Sequence, residues 1–477
     1  MRFIIVGAGL SGLSCGAALA MMGHDAVIIE KETEEGGLAR SFRIDGYTFD
    51  YGPHYLFGTK VLPLLKEVLC PELELMDVNR SKERMYFKGK YFKFPFEPKN
   101  LLLNMEPMEI PGVLFDLCMK SFGTRLRQPP AKNVEDWVIQ SVGRRIYDYT
   151  SLGGYIEKLY GVNPREISED WGIQKLKFLA KLQNASPLQL AGRALREEKR
   201  LAGQVVSYPS SGVDRLALHI GKRFIQKRGK IYFGSDALAI EKKGDTICLV
   251  FRKNRRQELL EGDFLISTIP MTNLLRMLNP PPPENIAQLT NSLRYRTVLL
   301  LFLCIEKERL TDHECIYFTE DNFAFRRVTE FKHLSPSMAP DGKTSLCVEI
   351  TCFEDDRILR QDAESIFGTV VRQLEKGSFL KGEDIEKYHV LRIPYAYPVY
   401  EIGYRVVLKK ILEWLSTCHN IISVGRQGLF FYNTMSNSIV EGYMLGRKFC
   451  NGNAANYKGI IQEVYQKRLQ KYEKALM

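Results

Sequence analysis

No run of about 18 apolar residues occurs anywhere in the 477-residue chain, so nothing in it reads as a membrane-spanning helix. No Cys-x-x-Cys pair and no Cys/His cluster at metal-ligand spacing occurs either. The ten cysteines, at 15, 70, 118, 248, 304, 315, 347, 352, 418 and 450, are scattered and read as reduced thiols, so a structural metal is not expected. Internal repeats are absent, and Pro280 to Pro283 is the sole low-complexity stretch. The apolar N-terminus lacks a signal-peptide cleavage pattern. With no spanning segment, this leads to the expectation of a cytoplasmic protein without an integral membrane anchor. With 45% hydrophobic and 26% charged residues, 37 Gly and 21 Pro, the composition excludes a disordered, collagenous or coiled-coil chain. The length calls for two or three domains. An excess of Lys and Arg (67) over Asp and Glu (56) leaves a net charge of +11, which suits an anionic ligand, a membrane surface or nucleic acid equally well.

What is present begins at residue 3. Phe3-Ile4-Ile5-Val6 is a continuous apolar run, the pattern of a strand buried on both faces, and Gly7-Ala8-Gly9-Leu10-Ser11-Gly12 follows at once. Leu13, Ala17, Ala18 and Leu19 recur at helical spacing up to a stop at Gly23, and a second apolar strand, Ala26 to Ile29, ends in Glu30, next to Lys31. Strand, glycine loop, helix, strand and acid in this order form a dinucleotide-binding unit. Gly7 allows the tight turn, Gly9 lets backbone approach a pyrophosphate, and Gly12 lets helix and strand pack closely. The helix start at Leu10 and Ser11 offers amide donors, Glu30 accepts hydrogen bonds from a ribose diol, and Lys31 beside it is counted among the cofactor-binding residues. These residues alone leave NAD and FAD both open.

The next segment, Glu34 to Ser41, decides between them. Gly36 and Gly37 admit a second close approach of backbone to ligand, Leu38 and Ala39 continue it, and Arg40 offers a phosphate or flavin contact. With the preceding unit, this resembles the amine-oxidase-like FAD superfamily, which includes monoamine oxidases, protoporphyrinogen oxidase, phytoene desaturases and UDP-galactopyranose mutase. The resemblance implies an α/β fold: a Rossmann-type FAD-binding domain of the glutathione-reductase/amine-oxidase type, a mixed-sheet substrate domain and a helical insertion. It implies FAD, held non-covalently because Gly425 to Tyr432 contains no cysteine.

Asp50-Tyr51-Gly52-Pro53-His54-Tyr55-Leu56-Phe57 is similar to the mutase branch, in which a Y-G-P-H segment sets a histidine, here His54, against the flavin ring. Tyr155 to Ser168 resembles the segment before a mutase helix whose arginine grips a nucleotide-sugar diphosphate. Lys175 stands at that position, keeping the charge but losing the bidentate fork. Phe325 to Phe331 is similar to the eukaryotic mutase segment that supplies a second diphosphate arginine, matched by Arg327. Arg326 is expected on the opposite face, since neighbours on a strand alternate. Asn420 to Val424 reads as a strand running into Gly425-Arg426, with a helix starting near Asn437. The resemblance gives Gly425, Arg426, Met435, Ser436 and Asn437 to the cofactor. Tyr432 matches a mutase tyrosine that contacts the diphosphate, whereas Thr434 replaces the acid of bacterial mutases.

The expected division is a discontinuous FAD domain (1–75, 200–275 and 390–455), a substrate sheet (76–100 and 276–389), a helical insertion (101–199) and a C-terminal helix (456–477). Basic clusters at Arg193 to Arg200 and Lys222 to Lys230 read as solvated helix faces, so nucleic acid is not an expected partner. The C-terminal helix reads as packed or partner-facing, with peripheral membrane contact as the alternative. Three functions follow from the resemblance. One is hydride transfer from a small organic substrate to flavin N5, with His54 tuning the ring. Another is a nucleotide-sugar mutase using reduced flavin N5 as nucleophile, with Lys175, Arg327 and Tyr432 on the diphosphate. The third is a flavin-binding interaction protein without turnover.

Overall fold

The computed structural model describes all residues except 59, 80–81, 95, 97, 124–129, 177–204, 451–458, 461, 468 and 471–477; side chains are also excluded at 79, 98, 117–123, 175 and 205. The basic cluster at 193–200 therefore lies outside the described residues, and Lys175 is described by its backbone only.

The apolar run at the N-terminus is the strand Arg2–Val6, and it sits in the middle of a five-stranded parallel sheet. Asp25–Ile29 and Lys230–Tyr232 lie to one side, Phe264–Ser267 and Ile421–Ser423 to the other. Phe3, Ile4, Ile5, Ile28 and Ile266 are fully buried, as parallel strands covered on both faces require. The helix Leu10–Met21 is buried from Leu10 to Ala20, with helices Asp214–Gln226 and Met435–Arg447 packed against it. Its small residues make that burial possible. A Cβ at Gly442 would overlap the Ser11 carbonyl oxygen, and one at Gly446 would lie 2.6 Å from the Cys15 carbonyl oxygen. The two helices therefore touch backbone to backbone.

A second sheet is a meander of Ser235–Lys243, Thr246–Lys253 and Arg256–Gly262, joined in parallel by Leu278–Asn279. The third has seven strands in the order Ile385–Pro398, Tyr295–Ile305, Thr344–Cys352, Arg327–Glu330, Cys315–Phe318, Glu83–Phe87 and Lys90–Lys93. It is mixed, because Cys315–Phe318 runs parallel to Glu83–Phe87. Side chains alternate between its faces with period two. Val298, Leu300, Phe302 and Cys347 join the large core shared with the parallel sheet, whereas Leu299, Leu301, Val348 and Ile350 pack with the helix Ala363–Lys376 in a separate cluster. Between residues 98 and 175 every described regular element is helical.

Two expected domain breaks cut strands. The break at 75/76 falls in Leu75–Asn79, which pairs with Val205–Pro209, and that at 389/390 falls in Ile385–Pro398. Each break falls inside a paired strand, at Leu75-Met76 and at His389-Val390, where no Gly or Pro marks an end. Among the described C-terminal residues, Tyr465 is fully buried and its hydroxyl accepts the Ser423 amide at 2.8 Å.

The helix crossing sets an expected outcome. Gly442→Val forces a side chain into the backbone of Ser11 and should lower stability by about 2–3 kcal/mol, an overpacking cost, readable as a lowered urea midpoint.

Candidate functional site

Thr268, after the strand Phe264–Ser267, donates its hydroxyl to the carbonyls of Val6 and Gly7 at 3.1 and 3.2 Å, and so holds the strand end where the glycine loop begins. Gly7 has φ +104°, and a Cβ there would overlap that hydroxyl; a Cβ at Gly12 would overlap the Gly7 carbonyl. Gly9 differs, because a Cβ built on it meets nothing within 4 Å. Gly36 bridges Gly9 and donates its amide to Ala8 at 2.9 Å, while a Cβ at Gly37 would reach 3.3 Å from the Gly9 Cα. Two side-chain-free stretches of backbone thus meet beside an open position at the start of a helix. A dinucleotide pyrophosphate needs that geometry, and the residues present fit one.

Glu30 is buried, and its carboxylate accepts the Ala8 amide at 2.6 Å and the Glu32 amide at 3.0 Å. It braces the loop and keeps lone pairs for a ribose hydroxyl. Lys31 is turned to solvent and pairs with Glu32 at 3.6 Å. Leu38 packs partly on the core, and the Ala39 amide closes a turn onto Gly36 at 2.9 Å. Arg40 donates to the Gly37 carbonyl at 3.2 Å, pairs with Glu32 and Glu34 at 3.6 Å each, and lies 5.1 Å over the Tyr51 ring.

The C-terminal segment returns to this loop. Ser11 donates to the Ser438 carbonyl at 3.2 Å, and a Cβ at Gly425 would stand 2.8 Å from Ser11 Oγ. Met435 is buried, and Ser436 Oγ accepts the Phe57 amide at 2.7 Å, tying the His54 loop to the last helix. Thr434 is that helix's N-cap, accepting the Asn437 amide at 3.3 Å. The residue that replaces the mutase acid thus has a structural task of its own.

Arg426 is engaged through its side chain. Its guanidinium donates to the carbonyls of Ala396 at 2.7 Å and Asn433 at 3.1 Å and lies 4.3 Å over Tyr432. Tyr432 meets Tyr397 edge to face at 5.0 Å and donates its amide to the Tyr400 hydroxyl at 2.7 Å. Tyr397 in turn lies 5.2 Å from both the Arg326 and the Arg426 guanidinium.

The expectation that Arg326 and Arg327 point to opposite faces is corrected. Arg326 precedes the strand, which starts at Arg327, and both guanidiniums converge on the buried carboxylate of Glu349. Arg326 reaches one oxygen at 2.9 Å and the Tyr397 hydroxyl at 2.8 Å; Arg327 Nε reaches the other oxygen at 2.6 Å. Sheet register places Tyr317, Arg327 and Glu349 in one row. Gly52 packs onto it, since a Cβ there would stand 3.1 Å from Glu349 Oε1. His54, half-buried, has Nδ1 at 2.7 Å from the Gly52 carbonyl. Burial pushes its pKa down to about 4, and the positive charges of Arg426 and Arg327 add to that shift. The ring is neutral at pH 7, and its Nδ1 carries the proton because a carbonyl only accepts, which leaves Nε2 an acceptor.

Glu349 and Asp50 were missed in the sequence. Each is an acid closing or interrupting an apolar strand, Val348-Glu349-Ile350 and Phe49-Asp50, and such a residue signals a buried partner. Asp50 is fully buried and accepts from Tyr208 at 2.6 Å, Ser41 at 2.7 Å and the Val213 amide at 3.1 Å. Burial raises its pKa to about 6. The described residues contain no group of acids, cysteines and histidines suited to a metal, nine of the cysteines are free, and no described helix is long and apolar enough to cross a membrane.

The family model "Flavin containing amine oxidoreductase" matches residues 10–390. The chain belongs to that family. Its cofactor is FAD, and its fold is the Rossmann-type α/β arrangement with a substrate-side mixed sheet. An L-amino-acid oxidase of Gloydius blomhoffii is 24% identical over 333 residues, 64% of this chain and 59% of that protein. A 4,4'-diapophytoene desaturase of Staphylococcus aureus is 43% identical over 53 residues, 11% of each chain. The chain thus spans less than two thirds of the length of either relative. Among solved structures, a reduced UDP-galactopyranose mutase aligns with TM-score 0.78 and 21% identity over 97% of this chain and 98% of its own. A cyclohexylamine oxidase of Brevibacterium oxydans aligns at 0.64 and 14%, over 97% and 99%. At these identities the overlays show the fold.

Two outcomes are expected. Gly9→Val places its side chain where the protein leaves open space, so the variant should fold with an unchanged circular dichroism spectrum but purify colourless; a flavin-loaded variant would contradict the cradle. Glu349→Ala leaves two buried guanidiniums without their carboxylate and should cost about 3–5 kcal/mol, measured by denaturant unfolding.

Proposed function

We propose that the protein is a FAD-dependent oxidoreductase for a small organic substrate that carries an anionic group. The observation that carries the reading is charge: Arg326 and Arg327 share one buried carboxylate, Glu349, while Arg426 stands at the same Tyr397 ring and is bonded to backbone carbonyls, so this group of three cations and one acid keeps two positive charges unmatched. Burying such an excess is costly unless a ligand matches it. The arginines hold the anionic end, and Tyr397 and Tyr432 wall the crevice and exclude water. Neutral His54 presents an acceptor nitrogen, so no strong base stands in the site. When bound, FAD supplies the acceptor for the hydride leaving substrate carbon, and dioxygen or a quinone takes the electrons onward. The cofactor is held without a covalent link by the backbone at Gly7, Gly9, Leu10, Ser11, Gly12, Gly37, Leu38, Ala39, Gly425, Met435, Ser436 and Asn437, with Glu30 on the ribose and Arg40 beside the phosphates.

A second reading, a nucleotide-sugar mutase, is favoured by the same cluster, since Arg327 and Tyr432, the two residues matched to diphosphate contacts, lie close enough for the arginine's charge to act on the phenol. Against it stand Thr434, used as a helix cap, and Lys175, at the end of the helix Asp170–Lys175, where the mutases carry an arginine.

The deciding experiment is a flavin spectrum of the purified protein, followed by addition of L-amino acids and 2-hydroxy acids as carboxylate probes, and then by dithionite reduction and titration with UDP and UDP-galactose. Bleaching by a carboxylate substrate and recolouring in air or with a quinone is expected, with Arg327→Ala raising KM at least tenfold. A reduced protein that binds UDP and interconverts the sugar, with affinity lost in Lys175→Ala, would replace this reading by the second. A yellow protein inert to both would overturn the enzyme reading.

A further inference from the structure

A pocket of about 260 Å³ lies between the helix Leu152–Tyr160 and the end of the seven-stranded sheet. Its inner wall is made by Lys158, Arg296, Arg326 and Thr351, and two exposed acids, Glu157 and Asp321, stand among the lining residues. None of His54, Arg327, Tyr397 and Tyr432 lines it. It is therefore a different space from the crevice described above, and Arg326 is the side chain common to both.

The three cations come from three elements and are only partly matched. Arg296 is 3% exposed; Nη2 donates to the Thr351 carbonyl at 2.7 Å, whereas Nε and Nη1 are buried without a hydrogen bond. Its nearest carboxylate, Asp356, stands 3.8 Å from Nη1, and the Phe353 ring stacks under the guanidinium at 4.2 Å. Arg326 is 2% exposed; Nη2 serves Glu349 and Tyr397, but Nε has no partner. Lys158 donates to backbone carbonyls alone, those of Glu320 and Phe325. Burial pushes the Lys158 ammonium down to about 8 and the Arg296 guanidinium down to about 10, as expected of cations taken from water without a full counter-charge. Asp321 and Glu320 offset the Lys158 desolvation only in part, and both Asp321 and Glu157 are exposed.

We infer that this pocket is a binding site for a phosphate group. Arg296 and Arg326, each with guanidinium N–H groups left without a partner, line one space that also holds an ammonium from a helix. A tetrahedral oxyanion accepts from several directions at once and suits that arrangement better than a planar carboxylate. Binding there reaches the reaction crevice through Arg326, whose other nitrogen holds Glu349.

The test is a titration of the flavin-loaded protein with inorganic phosphate by calorimetry, in a buffer free of other oxyanions, on wild type, Arg296→Met, Lys158→Met and Arg327→Ala, with flavin absorbance and melting temperature as folding controls. Saturable one-to-one binding is expected in wild type. It should weaken at least tenfold in both pocket variants and persist in Arg327→Ala. Acetate should bind at least tenfold more weakly than phosphate. Absence of saturable phosphate binding, equal affinity in well-folded pocket variants, or loss in Arg327→Ala with retention in Arg296→Met would each overturn the assignment; the last would place the anion in the other crevice.

Discussion

Ser11 and Cys15 on the first helix carry the bare backbone of Gly442 and Gly446 on the last, and this contact across some 430 residues is the constraint on which the rest of the structure depends. Side chains at those glycines would hold the helices apart, because interiors packed near crystal density cannot absorb an added methyl group between two backbones. With the helices in contact, the strand Ile421–Ser423 completes the parallel sheet, Gly425 reaches Ser11, and Ser436 takes the amide of Phe57. Four segments distant in the chain thereby border one cofactor cleft.

The substrate side is organised by charge. Glu349 lies in a strand whose neighbours are apolar, and two arginines meet it in the interior. Removing two cations from water is tolerated when a carboxylate stands between them. Tyrosines enclose the cluster, and their ring faces suit guanidinium groups at the 4.3 to 5.2 Å seen for Tyr397 and Tyr432. Asp50 does similar work on the neutral side, joining the hairpin Ser41–Asp50 to Tyr208 and Val213.

Much of the cofactor half was legible beforehand. The strand Arg2–Val6, the glycine loop and the helix after it are local in sequence, and period and spacing report local structure directly. The strand that ends before Gly425 and the helix after it were likewise readable. What escaped was every feature set by a distant partner. Arg326 was assigned to the face opposite Arg327 because strand alternation was extended one residue too far; the strand begins at Arg327, and the preceding side chain is free to turn to Glu349. Arg426 is expected at the cofactor through its backbone, and that its guanidinium serves the Ala396 and Asn433 carbonyls is a pairing no local spacing records.

By itself, the sequence determined the nucleotide-binding unit, the family and the order of elements, because a tight turn, a close backbone approach and a buried parallel strand each demand particular residues at fixed local spacing. Tertiary structure alone decided which charges meet. Whether Arg326 is a solvated cation or half of a buried cluster depends on Glu349, 23 residues away and one strand over. Whether Lys158 and Arg296 share a pocket depends on how a helix lies across the end of a sheet. Pairing across strands and layers fixes the dielectric and the partners of each ionisable group, and no periodicity in the chain records either.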